Sequence, residues 1–251
     1  MAIVTGSTSG LGREIARVFG TEGARVIVTG RDAKRGAATV TAVQDSGGEA
    51  VFVAADLAEE DGCHTLVHAA AEHFGGLTVL VNNAVAGAVN DGDGPVTEVS
   101  TETVERTLRV NVTAVFWLCR HAIPRMLEAG HGSIVNVSSR VAERATPGLS
   151  AYTASKGALN ALTRSINVDY ARQGVRCNTL QPGYILHERR DADLDDERRR
   201  RLEEMHLTRL ATATDVAYAA LFLAGRESET ISGITLPVDG GSHDARARVI
   251  G

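Results

Sequence analysis

The sequence predicts an α/β fold: one parallel sheet, doubly wound, with helices on both faces. Three observations carry that expectation. Short Val- and Ile-rich runs alternate with longer helical stretches along all 251 residues. Several of the short runs are apolar without alternation, as strands covered on both faces require. A glycine-rich turn joins the first run to the first helix, the usual way such a sheet begins at a ligand site.

The elements follow in order. Candidate strands are "AIVT" at 2–5, "ARVIVT" at 24–29, "AVFVAA" at 50–55, "LTVLVN" at 77–82, "SIVNVS" at 133–138, "VRCNTL" at 175–180 and "GITLPV" at 233–238. Helical patterns fill 11–22, 32–46, 60–74, 101–128, 151–172 and 213–224. Repeated βα units imply a parallel sheet with helices on both sides. The first strand opens almost at Met1, so either it is short or the natural start lies upstream. Residues 187–209 are dense in both charges and read as a solvated helix with its approach loop, Leu202 and Met205 facing inward. No linker, repeat or low-complexity segment divides the chain, so residues 1–251 read as a single domain with a charged lid at about 185–210.

Bulk properties narrow the function classes. The formal charge is −5 with no dominant basic face, which argues against a nucleic-acid partner. No apolar run reaches membrane-span length, and the N-terminus lacks the charged and apolar regions of a signal peptide. The three cysteines, Cys63, Cys119 and Cys177, are far apart and suggest neither a disulfide framework nor a metal site. A reducing compartment fits, so the expected location is the cytoplasm.

Two stretches carry chemistry. "VTGSTSGLGREIA" at 4–16 spaces Gly6, Gly10 and Gly12 as a dinucleotide loop does. One glycine makes the tight turn, one admits pyrophosphate to the backbone, and one lets helix and strand pack closely. The helix N-terminus then offers free N–H groups to an anion. At the end of the second strand, "VIVTGRD" puts Gly30 where an NAD site carries an acid for the ribose 2′-OH. Arg31 follows, and a guanidinium can pair with a 2′-phosphate. NADP(H) is therefore favoured over NAD(H), although Asp32 could act as an N-cap or take the ribose itself. The second stretch is "AYTASKGALNALTR" at 151–164. Tyr152 and Lys156 are four apart, on one face of a helix. They are either a surface pair or an acid–base device.

Taken together, the motifs resemble the classical short-chain dehydrogenase/reductase family over nearly the whole chain. They are "TGSTSGLG" at 5–12, "AADL" at 54–57, "NNA" at 82–84, "LRVNV" at 108–112, "IVNVSS" at 134–139, "YTASK" at 152–156, "QPGY" at 181–184 and "VDGG" at 238–241, in the family's order. The resemblance implies a Rossmann-type seven-stranded sheet and a homotetramer. It implies Tyr152 as acid/base, Lys156 as the cation that lowers the tyrosine pKa and binds the nicotinamide ribose, and Ser139 as the substrate-oxygen contact. Asn111 would brace a relay water. Gly6, Ser9, Gly10, Leu11, Gly12, Arg31, Asp56, Leu57, Asn83, Ala84, Tyr152, Lys156, Pro182, Gly183 and Ile185 would line the cofactor. Strand alternation puts Ser138 and Ser139 on opposite sides, and family spacing selects Ser139.

The sequence departs from the family at two places. Val85 stands where glycine is common, and His187 where a cofactor-contacting threonine is common. The charged loop after Ser139, with Arg140, Glu143 and Arg144, favours a polar or anionic small substrate. The expected activity is interconversion of a ketone or aldehyde with an alcohol, with no metal. The rivals are reduction of a 3-oxoacyl group on a carrier protein and a non-catalytic, cofactor-binding regulatory protein.

Overall fold

The computed structural model describes residues 1–86, 92–186, 191 and 194–244. Seven strands form one sheet: β1 (Ala2–Val4), β2 (Arg25–Gly30), β3 (Glu49–Ala54), β4 (Val79–Asn82), β5 (Gly132–Val137), β6 (Val175–Pro182) and β7 (Thr235–Val238). Their order is β3-β2-β1-β4-β5-β6-β7, and every pairing is parallel. The order reverses between β1 and β4, which opens the crevice where such sheets bind ligands.

The helices are α1 (Gly10–Thr21), α2 (Ala33–Asp45), α3 (Glu60–Phe74), α4 (Thr101–Leu108), α5 (Ala114–Glu128), α6 (Ser150–Tyr170), α7 (Asp196–Glu204) and α8 (Ala213–Ala224). One side of the sheet packs Val4, Val28, Val81, Val135, Val137 and Leu180 against α1 and α8. The other packs Ile3, Ile27, Leu80, Ile134 and Cys177 against α3, α5 and α6. This is why the strands read as unbroken apolar runs: successive residues point to opposite faces, and both faces are covered. β1 is only three residues long, yet it pairs with both β2 and β4, so it is short and still central.

The expected helix over 101–128 is interrupted. A π turn at Arg109–Thr113 separates α4 from α5 and contains Asn111. Such turns insert an extra residue, often at functional sites. Here Asn111 is buried at 1% exposure within the protein. The charged stretch also differs from expectation. α7 is exposed and laced by Arg201–Glu197 and Arg200–Glu204 pairs. Leu202 is half-buried, but Met205 is exposed rather than inward. Met205 already lies past the last turn, while the next residue, His206, takes the interior position and bonds to the Leu202 carbonyl.

Candidate active site

The glycine loop is shaped by contacts that no side chain could share. Gly6 has φ +63°, and an added Cβ would sit 2.9 Å from Ala84 Cα. A Cβ on Gly12 would collide with Asn83 Nδ2 and the Gly6 carbonyl. Asn83 and Ala84 thus pack directly on the loop. Their N–H groups donate to Thr5 Oγ1 at 2.9 and 3.0 Å, and Asn83 Nδ2 donates to the Thr5 carbonyl at 2.9 Å. Ser9 is exposed at the N-cap of α1 with no side-chain cap bond, and Gly10 and Leu11 open the helix beside it. The tight backbone and uncapped helix start form a cradle that fits a pyrophosphate.

At the end of β2, an added Cβ on Gly30 would lie 2.6 Å from Thr8 Cγ2. The place of an acidic ribose ligand is filled by Thr8. Asp32 is committed elsewhere: it caps α2 through Arg35 N at 3.0 Å and pairs with Arg35 Nε at 2.7 Å. Arg31 is exposed and has no ion pair among the described residues. Asp56 is exposed, with Ala58 N donating to its Oδ1 at 3.0 Å, and Leu57 is half-buried against the core. Pro182 ends β6, and Gly183 packs so closely on Asp239 that a Cβ would meet it at 2.6 Å. Ile185 forms an isolated parallel bridge with Ala211. His187 lies outside the described residues.

The catalytic candidates converge on the first turns of α6. Lys156 is 3% exposed, and its Nζ donates to the Val137 carbonyl at 2.8 Å. That ammonium lies 5.5 Å from the centre of the Tyr152 ring. Burial lowers the lysine pKa to about 8, because desolvation disfavours the charged form. The two serines divide as alternation requires. Ser138 is buried and its hydroxyl donates to the Lys156 carbonyl at 3.4 Å, while Ser139 is half-buried and accepts from Val141 N at 3.4 Å. Asn111 accepts from Ala86 N at 2.8 Å and donates to the Ala86 carbonyl at 2.9 Å and to Ser155 Oγ at 3.0 Å.

Val85, the departure from the family pattern, lies at the surface of the groove. Its side chain is 48% exposed, and the backbone beyond it is held by Asn111. Two contributors were missed by sequence reasoning. Asp93 accepts hydrogen bonds from the backbone of Ala151 and Tyr152. His243, just past the "VDGG" motif, lies 3.3 Å from Glu143 in the loop after Ser139. Neither leaves a local signature, since the partners are 59 and 100 residues away along the chain.

Comparison with known proteins agrees with the fold and these motifs. The family model described as Enoyl-(Acyl carrier protein) reductase matches residues 6–243. The 2,5-dichloro-2,5-cyclohexadiene-1,4-diol dehydrogenase of Sphingobium indicum is 33% identical over 96% of this chain and 95% of its own. Among solved structures, gluconate 5-dehydrogenase from Burkholderia cenocepacia, in complex with NADP and tartrate, superposes with a TM-score of 0.89 at 30% identity, covering 98% of this chain and 95% of that one. A 7α-hydroxysteroid dehydrogenase complexed with NADH does so with a TM-score of 0.89 at 32% identity, covering 96% and 92%. The fold and site define a nicotinamide-dependent oxidoreductase of the Rossmann type. The chain belongs to the short-chain dehydrogenase/reductase family.

Proposed function

We propose that the protein is an NADP(H)-dependent oxidoreductase that interconverts a small ketone or aldehyde with its alcohol, with Tyr152 as acid and base. The observation that carries this reading is the buried Lys156 ammonium, 5.5 Å from the Tyr152 ring and fixed on the Val137 carbonyl. A free phenol titrates near ~10 and is a poor base at neutral pH. A cation held beside it in a desolvated pocket favours the phenolate. In the reductive direction Tyr152 gives its proton to the substrate oxygen; in the oxidative direction it takes that proton back. Ser139, whose hydroxyl both donates and accepts, holds the same oxygen. Lys156 passes the proton onward, and Asn111 braces the exit. The nicotinamide, when bound, supplies or accepts the hydride.

The remaining cofactor contacts are those of the glycine loop, with Asp56, Leu57, Asn83, Ala84, Pro182, Gly183 and Ile185. Preference for NADP(H) rests on the filled position at Gly30, the committed Asp32 and an exposed Arg31 without an ion pair among the described residues. The substrate is taken to be polar or anionic, because half-buried Arg140, exposed Arg144 and the Glu143–His243 pair border the loop after Ser139. A homotetramer is expected from the family, and the α5–α6 face suits an interface. It holds a cavity of about 450 Å³ bordered by Phe116, Ile123, Leu127, Leu162 and Tyr170. Three unpaired, buried cysteines suit the cytoplasm.

The test is Tyr152→Phe, assayed with NADPH against a panel of small keto acids and aldehydes. Turnover should fall by roughly a thousandfold or more, as for loss of a general acid–base group. Fluorescence titration should show NADPH binding retained, and tighter than NADH in both proteins. Retained turnover removes Tyr152 from its role, and equal or tighter NADH binding overturns the cofactor preference. A carrier-protein reductase would instead turn over only acyl thioesters, and a regulatory protein would bind NADPH and turn over nothing.

A further inference from the structure

The segment that leaves the cofactor groove is tied to the catalytic set at both of its described ends. At Ala86 the ties are the two bonds to the Asn111 side chain. At Asp93 and Gly94 they reach the first turn of α6. The Asp93 carboxylate accepts from Tyr152 N at 2.8 Å, from Ala151 N at 3.1 Å and from Ser150 Oγ at 3.5 Å. The Gly94 carbonyl accepts from Ser150 Oγ at 2.7 Å and from Ser150 N at 3.3 Å. The residue at the N-cap of α6, Leu149, has no side-chain cap bond.

The physical setting makes these bonds consequential. The first N–H groups of a helix have no partner within it, and helix ends fray. Tyr152 is the third residue of α6, so its backbone belongs to that weakest turn. Lys156, one turn further in, is anchored by burial and by Val137. Without an outside anchor, the phenol would move relative to a fixed ammonium. A carboxylate is a strong acceptor and is favoured at the positive end of the helix dipole.

We propose that Asp93 is a positioning residue for the acid–base step: by bonding the Tyr152 and Ala151 N–H groups, it fixes the turn that holds the phenol over Lys156. This rests on the reading of Tyr152 given above. It adds a residue whose charge also bears on the phenol, because an anion beside that turn disfavours the phenolate.

Asp93→Ala and Asp93→Asn test it in the full-length protein. In Asp93→Ala, kcat should fall about tenfold while NADPH affinity stays within about twofold, since small misplacements of reacting groups cost rate rather than cofactor binding. Asp93→Asn should recover part of the loss, because its amide oxygen can still accept one of the two N–H bonds. In both variants the apparent pKa of Tyr152 should drop. It can be read without substrate by ultraviolet difference titration of the phenolate against Tyr152→Phe. A purely structural role would lower the melting temperature and leave the kcat of folded protein and the phenol titration unchanged, and that result overturns the proposal. If Tyr152→Phe itself keeps turnover, the underlying acid–base reading fails, whatever Asp93 does.

Discussion

The two faces of the sheet are built to different rules. On the α1/α8 side the strand residues are apolar save Ser133, Arg176 and Asn178, and Arg176 donates to the Gly225 and Ile231 carbonyls. Ser133 donates to the Leu223 carbonyl, while Asn178 donates to the Ile231 carbonyl and accepts from Ile234 N. On the α3/α5/α6 side, composition changes along β4, β5 and β6. Leu80 gives way to Asn82, Ile134 to Asn136 and Ser138, and Cys177 to Thr179 and Gln181. Apart from Gln181, whose buried amide has no partner among the described residues, the polar half is linked into a ladder. Asn82 donates to Asn136 at 2.8 Å, Asn136 donates to Thr163 of α6 at 2.9 Å, and Thr179 donates to Thr163 at 3.0 Å. A buried hydrogen bond adds only about 1 kcal/mol net, whereas leaving one partner unpaired costs more. The ladder therefore adds little stability and much position: it fixes the strand ends and the helix that carry Ser139, Tyr152 and Lys156. One face is built as a core, and the other carries the candidate site residues.

The sharpest way to break this division is to cut the apolar face. Phe19 of α1 is 1% exposed within that cluster. Phe19→Ala should cost about 3–5 kcal/mol, the usual loss on truncating a buried aromatic residue. Urea unfolding measures it. The kcat of the folded fraction and its pH profile should stay as in the parent protein, and a changed profile would mean that the α1 side also orients the site.

The polar face should respond to pH instead. Lys156 has its pKa lowered to about 8 from 10.5 by burial. Below about pH 8, both folded and unfolded chains carry the proton, and the fold bears the cost of a buried charge. Between about 8 and 10.5 the folded form releases the proton while the unfolded form keeps it, so stability rises with pH. Relative to Lys156→Met, the parent protein should gain on the order of 3 kcal/mol across that window. Paired urea titrations from neutral to alkaline pH test this, and a constant difference between the two proteins would remove the burial cost.

How far the sequence could be read follows the same division. The apolar runs located all seven strands, and the 60–74 pattern is α3 itself. The candidate site motifs on β1–α1 and α6 stand out in the sequence because each lies on consecutive residues with a fixed local geometry. The π turn at Asn111 was not, since nothing in "LRVNV" distinguishes it from ordinary helix. Asp93 and His243 were not, because their partners are set by the folded chain. Met205 looked apolar and inward by periodicity, but the helix ends before the period brings it round. Residues that act locally are written locally; those that orient others across the fold are not.

The finest test falls at the boundary, on Asn136. Its side chain joins β4, β5 and α6, and it is wholly buried. Asn136→Ala strands the Asn82 amide and removes a donor to Thr163, and should cost roughly 1–3 kcal/mol by leaving buried polar groups unpaired. That is less than the loss at Phe19, yet Asn136 is two residues from Ser138 and is bonded to the helix of Lys156. If the polar half orients rather than stabilises, this smaller loss should come with a measurable fall in the kcat of folded protein, which Phe19→Ala lacks. Equal kcat in the two variants would show the ladder to be another part of the core. A lower kcat with the milder destabilisation would separate the two roles on one sheet.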